Sequence, residues 1–255
     1  MQNLNARQKK ILAIAREQGK VAVEKLSSRF SVSAQTIRKD INTLCKNQFL
    51  QRVHGGAIVG SGIEHLSYEA RKVLAPEAKK AIGKKAAKLI PNNVSILLNI
   101  GTTTEEVAHA LKRHRGLLVI SNNINAVEIL RHSSGIDVVI SGGLVRKSDG
   151  GLVGEAAVDF INQFKADYAV IGVSAIDVEG ALLDYDYREV RVAKAIIANA
   201  RQVVLVADEL KFSRNASIRI GHLSQIDTLV TNTLPPENIQ NICKTHEVNV
   251  EIAET

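Results

Sequence analysis

The sequence predicts an α/β protein in two parts: a small, basic helical unit closed by a β-hairpin, then a larger unit built around a largely parallel sheet. Three observations predict it. The first sixty residues hold three amphipathic helical stretches and an alternating strand pair that breaks at Gly55-Gly56. From Val94 onward, short apolar runs alternate with helical stretches, which is the pattern of parallel strands joined by crossover helices. The third is charge: of the net +7, residues 1–60 carry +8 (eleven basic and three acidic side chains) and the remainder −1. That asymmetry gives one segment, rather than the whole chain, a polyanionic partner.

The elements follow in order. Residues 5–18 form a helix with Ile11, Leu12 and Ile14 inward and Arg7, Lys9 and Lys10 exposed, ended by Gly19. A short second helix covers about 23–30, and "SVS" turns the chain into a third that runs to about Lys46. Ser33 is a good N-cap, and Val32 can pack on Ile37 as a hydrophobic staple. Ile37, Ile41 and Leu44 recur at helical spacing with Cys45 beside them, so Gln35, Arg38, Lys39 and Asn42 point elsewhere. Alone, that outer face reads equally as a solvated surface. "FLQRVHGGAIV" then alternates like a strand and folds back at the glycines. Three helices, a short turn between the last two and a hairpin make a winged helix-turn-helix, whose third helix enters the major groove of DNA. The candidate DNA contacts are Ser33, Gln35, Thr36, Arg38, Lys39 and Asn42, with Arg52 and His54 of the wing.

The boundaries expected are 1–58 for this domain, 59–76 for a linker that becomes helical around Tyr68–Val73, and 77–255 for an effector-binding and oligomerisation domain. Pro76 opens a helix to about Ile90, whose lysines Lys79, Lys80, Lys84, Lys85 and Lys88 read as the solvated side of a core-facing helix. Strands follow at "VSILLNI", "LLVIS", "DVVIS", "YAVIGVSAI", "QVVLVAD" and "DTLVTN", with helices between most of them. Composition is that of an ordinary soluble protein, 45% hydrophobic and 23% charged. No apolar run spans a bilayer and no signal peptide is evident, so a cytoplasmic location is expected. Cys45 and Cys243 lie far apart without a C-x-x-C partner, which suggests neither a disulfide framework nor a zinc site. Neither a cofactor nor a metal is expected.

Ligands of open α/β sheets sit outside the carboxyl ends of the strands. After the first strand comes Gly101, then Thr102, Thr103 and Thr104 at a helix start: a phosphate cradle or a plain threonine cap. The second strand ends in Ser121, Asn122 and Asn123, which can bind a polyol or cap the next helix. The third ends in Gly142-Gly143, followed by Arg146, which can meet an anion or serve as a surface or subunit contact. Asp184, Asp186, Glu189 and Lys194 gather at a helix entrance, and the fifth strand delivers Asp208, Lys211 and Arg214. Their shared sheet edge favours one pocket for a small phosphorylated polyol.

The residues "VSAQTIRKDINTL", "RVHGGA", "GTTTEEVA", "SNNINA", "SGGLVRKSDGGLVG", "IGVSAID", D-Y-R-E-V and "ADELKF" resemble the DeoR family of bacterial repressors from about residue 5 to about 250. That resemblance implies an effector domain similar in fold to ribose-5-phosphate isomerase and the coenzyme A transferases. It also implies a repressor of glycerol-3-phosphate metabolism genes, released from double-stranded operator DNA by glycerol 3-phosphate or a similar polyol phosphate, and working as a homo-oligomer, dimer or tetramer. By the same analogy Thr102–Thr104 hold the effector phosphate, Lys211 reaches toward it, and Glu189 stands where the isomerase moves protons. Two positions depart from the family pattern: Asn99 stands where Asp is usual, and Ala22-Val23 where the second helix usually has Ser or Thr. The alternative reading is a sugar-phosphate isomerase-like enzyme carrying a DNA-binding module, for which Glu189 and Lys211 would supply base and electrophile. A +8 segment has no use in such an enzyme.

Overall fold

The computed structural model describes residues 4–18, 20–47, 49–53, 55–58 and 68–254. The chain divides into two compact units between Leu74 and Ala75. The first contains helices α1 (Ala6–Gln18), α2 (Val23–Phe30), α3 (Ala34–Lys46) and α4 (Tyr68–Lys72), and strands β1 (Lys20–Ala22), β2 (Gln51–Val53) and β3 (Gly56–Ile58). Ile11, Leu26, Ile37, Ile41 and Leu44 form its core, with Val32 packed against it as the staple requires. The wing has one strand more than the sequence suggests: β1 pairs antiparallel with β3, which lies between β1 and β2. Gly56 makes that pairing possible, since a Cβ there would collide with the Val21 carbonyl. The N-terminus of α2 has no side-chain cap at Ala22; instead the Val23 N–H donates to the Gly55 carbonyl at 2.9 Å. Gly19, His54 and the first half of the expected linker lie outside the described residues.

The second unit begins with α5 (Pro76–Leu89), Pro76 standing in its first turn. There follow β4 (Ser95–Leu98), α6 (Thr102–Leu111), β5 (Leu117–Ser121), α7 (Ile124–Leu130), β6 (Ile136–Ile140), β7 (Leu144–Val145), β8 (Leu152–Val153) and α8 (Glu155–Ile161). Then come β9 (Ala166–Ile171), β10 (Ala175–Ile176), β11 (Ala181–Asp184), α9 (Tyr187–Ala198), β12 (Ala200–Val206), β13 (Ile218–His222), β14 (Thr228–Thr231), α10 (Glu237–Thr245) and β15 (Asn249–Ile252). Seven strands form one parallel sheet in the order β15-β14-β12-β9-β4-β5-β6. The order reverses between β4 and β9, so this is a doubly wound sheet with its switch point at those two strands. One face packs on α5, α6 and α7 through Ile82, Val107 and Leu130; the other packs on α8, α9 and α10 through Ile161, Val190 and Ile239.

Several features differ from expectation, and strands β11, β13 and β15 are additional to the six runs read as strands. "YAVIGVSAI" is two strands, β9 and β10, split at Gly172–Ser174; β10 joins β11 and β13 in a small antiparallel sheet. β7 and β8 form a hairpin inside what reads as a loop. On α5, Lys79 is buried rather than solvated, on the same side as Ala78, Ile82 and Ala86. Among the described residues no helix is long and apolar enough to cross a membrane.

Candidate functional site

Helix α3 has two sharply different faces. Ile37, Asp40, Ile41 and Leu44 are buried, while Gln35, Arg38, Lys39 and Asn42 are exposed. Ser33 caps the helix, its Oγ accepting from the Thr36 N–H at 3.2 Å and lying 2.9 Å from Thr36 Oγ1. A shallow open groove along this face is lined by Ser33, Gln35, Thr36, Arg38, Lys39 and Asn42, joined by Thr43 and Lys46. Side chains that donate and accept alternate there with full cations, the mixture that meets base edges and phosphates. Arg52 is exposed on β2. Asp40, from the same T-I-R-K-D stretch, faces inward. It accepts from Arg7 Nε at 2.6 Å and Gln8 Nε2 at 3.0 Å, so Arg7 is half-buried and engaged rather than free for DNA. The Cys45 thiol is half-buried, and that burial pushes its pKa up against the opposing pull of Arg52.

In the second unit, the chain leaves β4 through Asn99, Ile100 and Gly101. Gly101 adopts φ 146°, a conformation that favours glycine, and supplies no side-chain cap to α6. Thr102, Thr103 and Thr104 therefore occupy the first turn of the helix and do not cap it, and all three are buried. Thr104 Oγ1 donates back to the Gly101 carbonyl at 2.8 Å. Across the switch point, Ser174 follows β9 and donates to Asp184 at 2.9 Å, which seats Asp184 beside it. Lys211, in a short 3-10 helix after β12, is buried next to β10.

Of the two asparagines after β5, Asn123 is the cap: its Oδ1 accepts from the N–H groups of Asn125 and Ala126 at 2.9 and 3.3 Å. Asn122 is fully buried instead, donating to the Leu152 carbonyl at 3.1 Å. Gly142 and Gly143 are exposed at the end of β6, two strands away from the switch point.

Arg146 is neither a surface residue nor open to an anion. It is buried, with Asp149 at 2.5 Å, Glu189 at 2.6 Å and Asp186 at 3.4 Å. Burial alone would lower the pKa of the guanidinium, but Glu189 and Asp149 outweigh it and the net shift is upward. Asp186 also caps α9 and pairs bidentately with Arg188, at 3.0 and 2.7 Å. The Arg188 hydrogen bonds hold its carboxyl down at about 2, against partial burial that would raise it. Through these pairs the β7–β8 hairpin is tied to the start of α9. Asn125 extends the network, donating to Glu105 at 3.0 Å and to the Asp149 carbonyl at 2.9 Å. Lys194 is exposed and takes no part in the pairs described here.

Residues 7–61 match the DeoR-like helix-turn-helix domain and residues 74–233 the DeoR C-terminal sensor domain. The glycerol-3-phosphate regulon repressor of Escherichia coli (strain K12) is 40% identical over 242 residues, which cover 95% of this chain and 96% of that one. The protein of the same name from Haemophilus influenzae is 45% identical over 238 residues, 93% of this chain and 92% of its own. Among solved structures, ribose 5 phosphate isomerase A from Neisseria gonorrhoeae aligns at a TM-score of 0.40 and 16% identity, covering 54% of this chain and 53% of that one. The chain belongs to the DeoR family of transcriptional regulators, with a helix-turn-helix domain followed by a sensor domain.

Proposed function

We propose that the protein represses glycerol-3-phosphate metabolism genes in the cytoplasm and leaves operator DNA when its sensor domain binds glycerol 3-phosphate. The observation that carries this reading is the division of α3 into a fully packed inner face and an exposed face of Gln35, Arg38, Lys39 and Asn42. Those four side chains contact DNA, with Ser33 and Thr36 at the helix start and Arg52 and His54 on the wing. The full-length similarity to glycerol-3-phosphate regulon repressors supports the effector. Gly101 and Thr102–Thr104 cradle its phosphate at the switch point, with Asn122, Gly142, Gly143, Asp184, Glu189 and Lys211 around the rest.

In this reading residues 1–58 bind DNA, 59–76 link, and 77–255 sense the effector and assemble the oligomer. Two recognition helices spaced by about one duplex turn require at least a dimer. Release requires glycerol 3-phosphate to bind the form with low DNA affinity better than the DNA-bound form. Family membership makes the chain a regulator rather than an enzyme. Consistent with that, the Glu189 carboxylate that an isomerase would need is already engaged by Arg146.

A gel-shift titration of the full chain tests the reading, on duplexes taken from upstream of glycerol-utilisation genes. Glycerol 3-phosphate is expected to release the duplex where glycerol, ribose 5-phosphate, fructose 1-phosphate and inorganic phosphate do not. Release by another of these phosphates alone would overturn the effector assignment. Failure to shift any such duplex at low salt would overturn the operator assignment.

A further inference from the structure

We propose that Asn99, Asn122 and Ser141 form a hydroxyl-reading row at the floor of the effector site. The inference rests on the effector reading above and adds which part of the effector is recognised, and by which atoms. Leu98 of β4 pairs with Ser121 of β5, and Ser121 with Ile140 of β6. The next residue on each strand is Asn99, Asn122 and Ser141, so the three continue one row across neighbouring strand ends. Side chains of one row in a parallel sheet share a face. Here it is the face of α8 and α9, since Leu97 and Ile120, two residues earlier on β4 and β5, pack there.

All three are buried, with relative exposures of 1%, 0% and 3%. Among the described residues, Asn99 Nδ2, Asn122 Oδ1 and Ser141 Oγ have no hydrogen-bond partner. Buried polar atoms are nearly always bonded, so three such atoms in one row point to a polar ligand. Their chemistry is fixed by the bonds the same side chains do make. Asn99 Oδ1 accepts from the Ile100 N–H at 2.8 Å, which leaves its amide to donate. Asn122 Nδ2 donates to the Leu152 carbonyl at 3.1 Å, which leaves its oxygen to accept. The Ser141 hydroxyl does either. A donor, an acceptor and a hydroxyl in sequence match a ligand whose groups both give and take protons in hydrogen bonds, which is an alcohol. A carboxylate only accepts, and a methyl group does neither.

Neighbouring strands lie about 4.8 Å apart, close enough for two of the three groups to reach one small polyol. The row adjoins the Gly101 cradle through Asn99, so phosphate and hydroxyls are read by adjoining parts of one sheet edge. β8 covers it: the Leu152 N–H donates to the Asn122 carbonyl at 2.7 Å. Arg146 ties the β7–β8 hairpin to Glu189 of α9.

Calorimetric titration of the full chain with glycerol 3-phosphate and with n-propyl phosphate tests the row. The second compound keeps the phosphate and the carbon chain but has no hydroxyl. Wild type is expected to prefer glycerol 3-phosphate by about tenfold or more, because a site built to bond hydroxyls rejects an analogue that lacks them. Asn99→Ala, Asn122→Ala and Ser141→Ala should each bring that ratio toward one while leaving n-propyl phosphate affinity within about twofold. Ser141→Ala removes a single unbonded oxygen, so it keeps the fold even where alanine at 99 or 122 does not, and its ratio then decides. An unchanged ratio in melting-competent variants overturns the row. Equal wild-type affinity for both compounds overturns the row and leaves the phosphate cradle standing. Binding of neither overturns the effector reading and the row with it.

Discussion

Asp40 and Arg146 show how single charged side chains set the form of each unit. Asp40 is buried between α3 and α1, accepting from Arg7 and Gln8. Its removal leaves both donors without their acceptor, and a hydrogen bond to a charged group contributes about 1.5–3 kcal/mol. Asp40→Ala is therefore expected to lower the urea stability of the helix-turn-helix unit by about that amount. DNA affinity should fall only as far as the folded fraction does, with the salt slope unchanged. An unaltered urea midpoint would refute the structural role. The sequence carries a hint of it: position 40 falls on the stripe of Ile37, Ile41 and Leu44, where an acid needs a partner. Which partner is not legible, because Arg7 lies 33 residues earlier. Arg146 is harder still. Its surroundings in sequence suit a ligand-binding role, and only the tertiary fold brings Glu189 of α9 against it.

At the scale of elements, the start of α9 carries a pH dependence. Asp186 caps the helix, and its pKa lies at about 2 in the folded chain, below the ordinary value of 3.8. A carboxyl whose folded pKa is depressed stabilises the fold above its unfolded pKa and loses that contribution as pH falls through the folded one. Thermal stability should therefore hold above pH 5 and fall from about 4 toward about 2. Asp186→Asn should be less stable at neutral pH, with the gap to wild type closing across that window. A gap that stays constant down to pH 2 would show that Asp186 does not titrate with unfolding. Elements such as α9 are legible because their signals are local: Ser33 caps one helix and Pro76 opens another where the sequence places them, and Asp186 sits at the helix entrance the sequence marks. The two-residue strands β7 and β8 escape notice because so short a run holds no period to read, and β10 merges with β9 into one apolar run. β1 escapes because its pairing depends on Gly56, far along the chain.

At the scale of the whole molecule, charge is divided as sharply as function is. With +8 in the first sixty residues and −1 in the rest, DNA binding should weaken steeply with salt. Arg38→Ala or Lys39→Ala should flatten the plot of log affinity against log salt by about 0.9 for each phosphate the variant no longer neutralises. A variant that loses affinity at one base position with the slope intact would mark a base-reading residue instead. This division, the alternation of strand and helix, and the clustering of candidate residues at strand ends are all legible without coordinates. The strand order and the unbonded row at Asn99, Asn122 and Ser141 are not, because they depend on which strands become neighbours.

Helix α3 keeps its packing residues and its proposed DNA contacts on separate faces. Ile37, Asp40, Ile41 and Leu44 hold the unit together, and Gln35, Arg38, Lys39 and Asn42 take no part in that core. On the proposed reading of that outer face, a duplicated copy of the gene exchanges the outer four and acquires a different operator while keeping the packed face unchanged. Divergence of target genes needs no refolding, and a regulator rewired by hand at those four positions should melt where its parent does.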